Sequence, residues 1–405
     1  MTLTRAADTR LGALLAILLL AVNVASVSTR LGFLHKPKQV KEYDHWRYLE
    51  MARGAEGRRE LQREPPYCFR VAIPAVVHGL MRLGLSDNAG FFLVTNAGLF
   101  GFLLLLWLHL RDLGFALPLR VPGLLVVGFA QGALRWFEYQ YWMTDPAAVF
   151  MVMLAFFLIE RRRYLPLAAT SLLASFVRET YVLVYPYFLL HEWRRRATVP
   201  AGRSLVHAAL RTVALAAAPM AVLVAIRHLV VPNQPDSLVA GVVDSMGFRW
   251  EHRFDNQAYA VSIGALGVLV PLVLLFPARI PRLAALQFDR AFFVLSVYAT
   301  LTISNNNERP LAYALPALVP AALWCLRAFL DETALPQQPV LAAVAALQVL
   351  FWLGQRFAES GTSIYQPVNW TTTTALVAAW LAAQWARTRR GAAAPRTGGA
   401  PLSSP

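Results

Sequence analysis

The chain has 405 residues, of which 57% are hydrophobic and only 15% are charged. A soluble domain carries about a quarter charged residues, so this composition excludes an ordinary soluble protein. The apolar residues form blocks of about twenty, the length of a helix that crosses a bilayer, and they lack the alternation of barrel strands. The sequence therefore predicts an all-α polytopic membrane protein.

The net charge of +15 comes largely from arginines next to the apolar blocks. When these flanking arginines are placed in the cytoplasm, just over half of all Lys and Arg lie there, but under a third of the acids. This positive-inside pattern accounts for the basic excess without a nucleic-acid partner. The two cysteines, Cys68 and Cys325, indicate neither a disulfide framework nor a metal site.

The charge pattern predicts about twelve transmembrane or half-membrane helices in a single transmembrane domain, 1–390, with both termini in the cytoplasm. The first block is interpreted as an uncleaved span, because no signal-peptide cleavage motif follows it. The tail, 391–405, is rich in Gly, Ala, Pro and Ser and is predicted to be disordered and cytoplasmic. The predicted spans begin near Leu11, Ala89, Val121, Pro146, Leu165, Tyr181, Val206, Ala260, Ala291, Leu311, Val340 and Thr371.

The first outer loop, about 31–88, contains the strongest candidate for a catalytic residue. A helical pattern from Tyr43 to Ala52 places Asp44 and Tyr48 one turn apart on one face. A partly desolvated carboxylate near arginines can act as a general base or bind a cation. The alternative is a solvated acid paired with Arg47.

Later in the same loop, the stretch from Arg70 to Leu85 mixes apolar residues with Arg70, His78 and Arg82. It is too short and too charged for a span. It predicts an amphipathic helix that lies on the outer leaflet.

Aromatic residues are concentrated between Trp136 and Asp145, at the outer end of a predicted span. They indicate either an interfacial aromatic belt or a surface that stacks on sugar rings or covers a lipid chain. Pro146 fits the first turn of a helix that Thr144 or Asp145 caps. Asp145 is therefore either an N-cap or a site residue.

Arginine-rich turns flank the stretch from Tyr164 to Arg194, so both of its ends are assigned to the cytoplasm. Its length of about thirty residues is too short for two full spans, which predicts two short helices that meet at 176–180. Ionisable residues in a membrane segment are costly and face a partner or a cavity. Since neighbours on a helix do not face one another, Arg178 and Glu179 are predicted to have separate partners.

The outward-facing charged residues are predicted to converge on one cavity. Glu308 and Arg309, which precede Pro310, add a pair at the outer end of another span, with a capping turn as the alternative. No phosphate-binding loop, zinc-protease motif, nucleophile elbow or dinucleotide fingerprint occurs, which argues against ATP hydrolysis by this chain. The converging set comprises the acids Asp44, Asp145 and Glu179 and the arginines Arg70, Arg178 and Arg309.

This organisation resembles the GT-C superfamily of integral-membrane glycosyltransferases, which take a sugar from a polyprenyl-phosphate carrier on the outer face of the membrane. The resemblance extends over most of the chain: an acid in the first outer loop, an amphipathic helix in that loop, and short paired helices further on. The residues that carry it are Asp44 in Tyr-Asp-His-Trp-Arg-Tyr, Pro66-Tyr67-Cys68-Phe69-Arg70, Thr144-Asp145-Pro146, Arg178-Glu179-Thr180 and Glu308-Arg309-Pro310.

The resemblance implies an enzyme that transfers a hexose or pentose, on the outer face of the membrane, to a glycan, lipid or protein acceptor. The bias towards Ala, Arg, Leu and Pro suggests a bacterial genome, which places the enzyme in a bacterial inner membrane with its site on the periplasmic face. Asp44 would be the catalytic base, and the carrier lipid would make a nucleotide unnecessary. Many members pair two acids in the first loop, whereas Glu42 and Glu50 are not adjacent to Asp44; a divalent cation is left open, and no metal ligand is assigned. The implied substrate-binding residues are His45, Tyr48, Arg70, Asp145, Arg178, Glu179, Glu308 and Arg309.

Two alternatives remain open. A transporter or flippase of a lipid-linked or polar solute would use intramembrane charges along its pathway, but no repeated halves are evident. A polymerase or ligase that joins lipid-linked glycans would use similar arginines.

Overall fold

The computed structural model describes residues 4–35, 44–54, 70–196, 201–230, 265–300, 308–354 and 370–393. Every regular element in these ranges is a helix, which confirms the prediction of an all-α chain. The α-helices are α1 Arg5–Leu31, α2 Asp44–Arg53, α3 Ala72–Arg82, α4 Asp87–Asp112, α5 Leu117–Gly128, α6 Trp136–Tyr139, α7 Asp145–Glu160, α8 Tyr164–Ala174, α9 Val184–Arg195, α10 Ala201–Val230, α11 Leu269–Val273, α12 Ile280–Leu286, α13 Phe288–Thr300, α14 Glu308–Ala312, α15 Leu315–Thr333, α16 Gln337–Gly354 and α17 Trp370–Ala393.

Four helical segments in the described ranges are long and apolar enough to cross a membrane: Arg5–Leu31, Asp87–Asp112, Leu117–Tyr139 and Ser204–Ile226. They support a helical membrane protein. The larger count of about twelve stays a prediction, and the predicted start near Ala260 lies outside the described residues. α17 continues to Ala393, three residues into the predicted tail, and the rest of that tail is likewise outside them.

The chain divides into two compact units. The first comprises Met1–Leu105 and Arg135–Asp244, and the second comprises Leu106–Leu134 and Ser245–Pro405. The predicted domain, 1–390, includes parts of both units and stays a prediction.

The first unit contains the two helices predicted in the outer loop, α2 and α3, which pack against each other. α3 buries Ile73 and Val77 and exposes Val76, as an amphipathic helix should. His78 Nδ1 lies 2.8 Å from the carbonyl oxygen of Ala52 at the end of α2. The amphipathic helix is confirmed, while its position on the outer leaflet stays a prediction.

The two short helices predicted between Tyr164 and Arg194 are also present, as α8 and α9. Between them the chain leaves the α-helix at Ser175, is extended at Arg178, and forms a 3-10 turn over Glu179–Leu183. The predicted meeting point at 176–180 therefore coincides with a true break in the helix.

Candidate functional site

Arg70 joins α2 to the helix break between α8 and α9. Its guanidinium makes a two-bonded ion pair with Glu179, in which Nε donates to Oε2 at 2.9 Å and NH2 donates to Oε1. Its third nitrogen, NH1, donates to the Tyr48 hydroxyl at 2.9 Å. Arg70 is only 5% exposed, and Tyr48 is fully buried. A single cation thus connects α2 with the break between α8 and α9.

Arg178 binds a different acid. Its NH1 donates to Oδ2 of Asp145 at 2.6 Å, and Asp145 is fully buried at the first residue of α7. Because Arg178 is extended and Glu179 begins the 3-10 turn, their side chains leave the chain in different directions. The prediction of separate partners is confirmed.

A backbone hydrogen bond fixes the geometry between these segments. The amide of Ala72, at the start of α3, donates to the carbonyl oxygen of Phe176 at 3.0 Å. This bond lies two residues from Arg70 and two from Arg178. The network Tyr48–Arg70–Glu179 and the pair Arg178–Asp145 therefore form one connected cluster, which we call the charged cluster.

The aromatic residues of the 136–145 segment form part of the core of the first unit. Trp136, Phe137, Tyr141 and Trp142 are each at most 6% exposed. The interpretation as an interfacial belt is therefore wrong for these four, since belt side chains would lie on the outside of the helices. Trp142 instead donates from Nε1 to Oδ1 of Asn88 at 2.7 Å.

His45 belongs to this aromatic core. Its ring lies 5.5 Å from that of Trp142, and the residue is 4% exposed. The structure thus places His45 beside the segment that leads into Asp145, one turn along α2 from Leu49 and next to Asp44 in sequence. Its role in substrate binding stays a prediction.

Three other predicted site residues are described only by their backbone. Asp44 is the first residue of α2, one turn before Tyr48, as predicted. Glu308 and Arg309 open α14 in the second unit. The side chains of all three lie outside the described residues, so their predicted roles stay predictions.

One buried acid near these segments is not among the residues singled out from the sequence. Glu138 is 2% exposed and accepts a hydrogen bond from Nδ2 of Asn96 at 3.3 Å. An acid among five aromatic residues is the signal that could have found it.

Thr144, which the sequence offers as a possible cap, is fully buried, and its hydroxyl does not cap α7.

Asp145 was predicted as either an N-cap or a site residue, and its carboxylate is bound by Arg178. Among the described residues no group of three or more His, Cys, Asp or Glu side chains is arranged to hold a metal ion.

No protein-family model, curated protein or solved structure matches this chain.

Proposed function

We propose that the protein is an integral-membrane glycosyltransferase that takes its sugar from a polyprenyl-phosphate donor on the outer face of a bacterial inner membrane. The observation that carries the proposal is the charged cluster in the first unit. It joins α2, a broken helix pair and the start of α7 through the buried Arg70 and through Arg178, whose side chain is 11% exposed. Burying such charges in a membrane protein is costly, which favours a functional role.

The cluster supports a division of labour among its residues. Arg70 is bonded through all three of its nitrogens to Glu179 and Tyr48, so we assign it a positioning role. Arg178 binds Asp145 at the helix break. We assign Arg178 to the phosphate of the donor, which the planar fork of a guanidinium suits.

Asp44 acts as the general base in this proposal. The acceptor hydroxyl oxygen attacks the anomeric carbon while its proton passes to the Asp44 carboxylate. The bond between the anomeric carbon and the phosphate oxygen breaks, and its electron pair leaves with the carrier phosphate. Arg178 stabilises the charge that develops there, which is often the largest contribution to catalysis.

Incubation of the purified protein with labelled polyprenyl-phosphate sugars tests the proposal. Transfer predicts loss of the lipid-linked label in detergent, where no transmembrane gradient exists. Uptake into sealed vesicles that requires a gradient, with the label still on its lipid, would instead identify a transporter.

A further inference from the structure

The second unit contains an apolar cavity of about 280 Å³ between α11, α15, α16 and α17. Its walls include Leu272, Phe329, Val344 and Leu376, and among the described lining residues only Trp380 has a polar side-chain atom. Ala343 on α16 also lines the cavity and is exposed, so the cavity opens to the outside of the helices. Its volume is near the lower limit for small-molecule sites, enough for part of a hydrocarbon chain.

One end of this cavity is basic. Leu275 lines the wall, and its carbonyl oxygen accepts a hydrogen bond from NH1 of Arg387 at 2.6 Å. The Arg387 guanidinium also lies 3.9 Å from the centre of the Phe276 ring, and that of Arg279 lies 4.9 Å from the same ring. Arg279 and Arg387 therefore flank Phe276, the residue that follows Leu275 of the cavity wall.

Glu332 neutralises only part of the positive charge of Arg279 and Arg387. Glu332 binds Arg279 at 2.5 Å and Arg387 at 3.3 Å, so two cations share one carboxylate. Side chains of α17 also fix the local geometry, because Gln384 donates to the carbonyl oxygen of Leu275 at 2.9 Å. The result is a held pair of arginines with a net positive charge beside an apolar opening.

We propose that this place binds an anionic diacyl phospholipid, with one acyl chain in the cavity and the phosphate at Arg279 and Arg387. Basic pockets between membrane helices on the cytoplasmic side suit anionic headgroups. The positive-inside pattern assigns both arginines to the cytoplasm, so the lipid comes from the inner leaflet. A zwitterionic lipid would bring its own cation and gain less from the excess positive charge.

This phospholipid site differs from the proposed transferase site, because the polyprenyl carrier of the transferase is expected at the outer face. The cavity has charge at one end and apolar walls elsewhere, which complements the shape of a phospholipid: one ionic group and a flexible chain. The inference does not depend on glycosyl transfer and survives if that proposal fails.

The test measures binding of phosphatidylglycerol and phosphatidylcholine with identical acyl chains to the purified full-length protein in neutral detergent, by native mass spectrometry. We expect phosphatidylglycerol to bind the more tightly. Arg387→Gln should weaken phosphatidylglycerol about fivefold, since each arginine near a membrane surface contributes about 1 kcal/mol. Arg389→Gln is the matched control: Arg389 lies on the opposite side of α17, over Trp385, and should change little.

A second pair of variants leaves every hydrogen bond of the arginines in place. Ala343→Phe fills the cavity and should reduce phosphatidylglycerol binding at least fivefold, whereas Ala342→Phe, at an exposed alanine outside the cavity lining, should not. Any of three results would overturn the proposal. The two lipids could bind equally, Arg387→Gln and Arg389→Gln could weaken binding equally, or Ala343→Phe could leave binding unchanged. Tighter binding of polyprenyl phosphate that Ala343→Phe abolishes would overturn the choice of lipid.

Discussion

At the scale of single residues, Arg70 connects more of the candidate site than any other described side chain. Its three nitrogens bind Glu179 and Tyr48, which come from segments far apart in sequence. A buried ion pair does not have to add net stability, but breaking one leaves an uncompensated charge. The effect of substituting Arg70 should therefore exceed that of substituting an exposed arginine.

We expect Arg70→Met to lower the free energy of unfolding by about 2 kcal/mol, less than the loss of a fully buried pair because Glu179 is 32% exposed. Arg70→Lys should be intermediate, since an ammonium keeps the charge but not the two-bonded geometry. Arg53→Gln is the control, as that arginine is 50% exposed in its pair with Asp87 and should contribute under about 1 kcal/mol. Thermal or denaturant unfolding in detergent measures all three, and equal effects of Arg53 and Arg70 would contradict this account.

The sequence singled out the charged residues of the cluster but did not predict how they pair. Arg178 and Glu179 are conspicuous in the sequence because ionisable side chains are rare in a predicted membrane segment. Their partners lie 33 and 109 residues away, respectively, and no local pattern encodes such contacts. The prediction of an interfacial aromatic belt failed for a related reason. A run of aromatic residues suits an interface and a buried core equally, and only tertiary packing decides between them.

At the scale of helices, the close approach of α4 and α7 positions Asp145. A Cβ atom added to Gly98 would lie 3.2 Å from the carbonyl carbon of Pro146, in the first turn of α7. At Gly101 an added Cβ would lie 2.6 Å from the Phe150 ring. Small residues of this kind allow membrane helices to pack closely. The short helices α2 and α3 were predictable from local pattern alone, whereas this contact was not.

Gly98→Ala should therefore destabilise the protein by about 1 kcal/mol and reduce transfer activity, because the backbone of α7 must move away and carries Asp145 with it. Gly79→Ala is the matched control in α3, where an added Cβ meets nothing within 4 Å. That change should be neutral or stabilising by up to about 1 kcal/mol. Unfolding and activity assays on both variants test this prediction. A Gly98→Ala protein with unchanged activity would contradict the positioning role of α4.

At the scale of the whole molecule, topology is the prediction on which the outer-face site depends. In a background of Cys68→Ser and Cys325→Ala, Leu83→Cys places a thiol at an exposed residue in the loop that is predicted to be outside. Arg163→Cys places one in an arginine-rich turn assigned to the cytoplasm. A membrane-impermeant maleimide should label Leu83→Cys in spheroplasts and Arg163→Cys only after permeabilisation. The reverse pattern would place the charged cluster on the inner face.

The central claim is that Asp44 removes the proton from an acceptor during sugar transfer. The most direct measurement is the rate at which the purified wild type, Asp44→Asn and Glu50→Gln release labelled sugar from its polyprenyl-phosphate carrier. Glu50 serves as the control because it is an exposed acid on the same helix. We predict that Asp44→Asn loses at least a hundredfold in rate while remaining folded, as expected on removal of a general base, and that Glu50→Gln stays near the wild-type rate. Wild-type activity in folded Asp44→Asn would contradict the account.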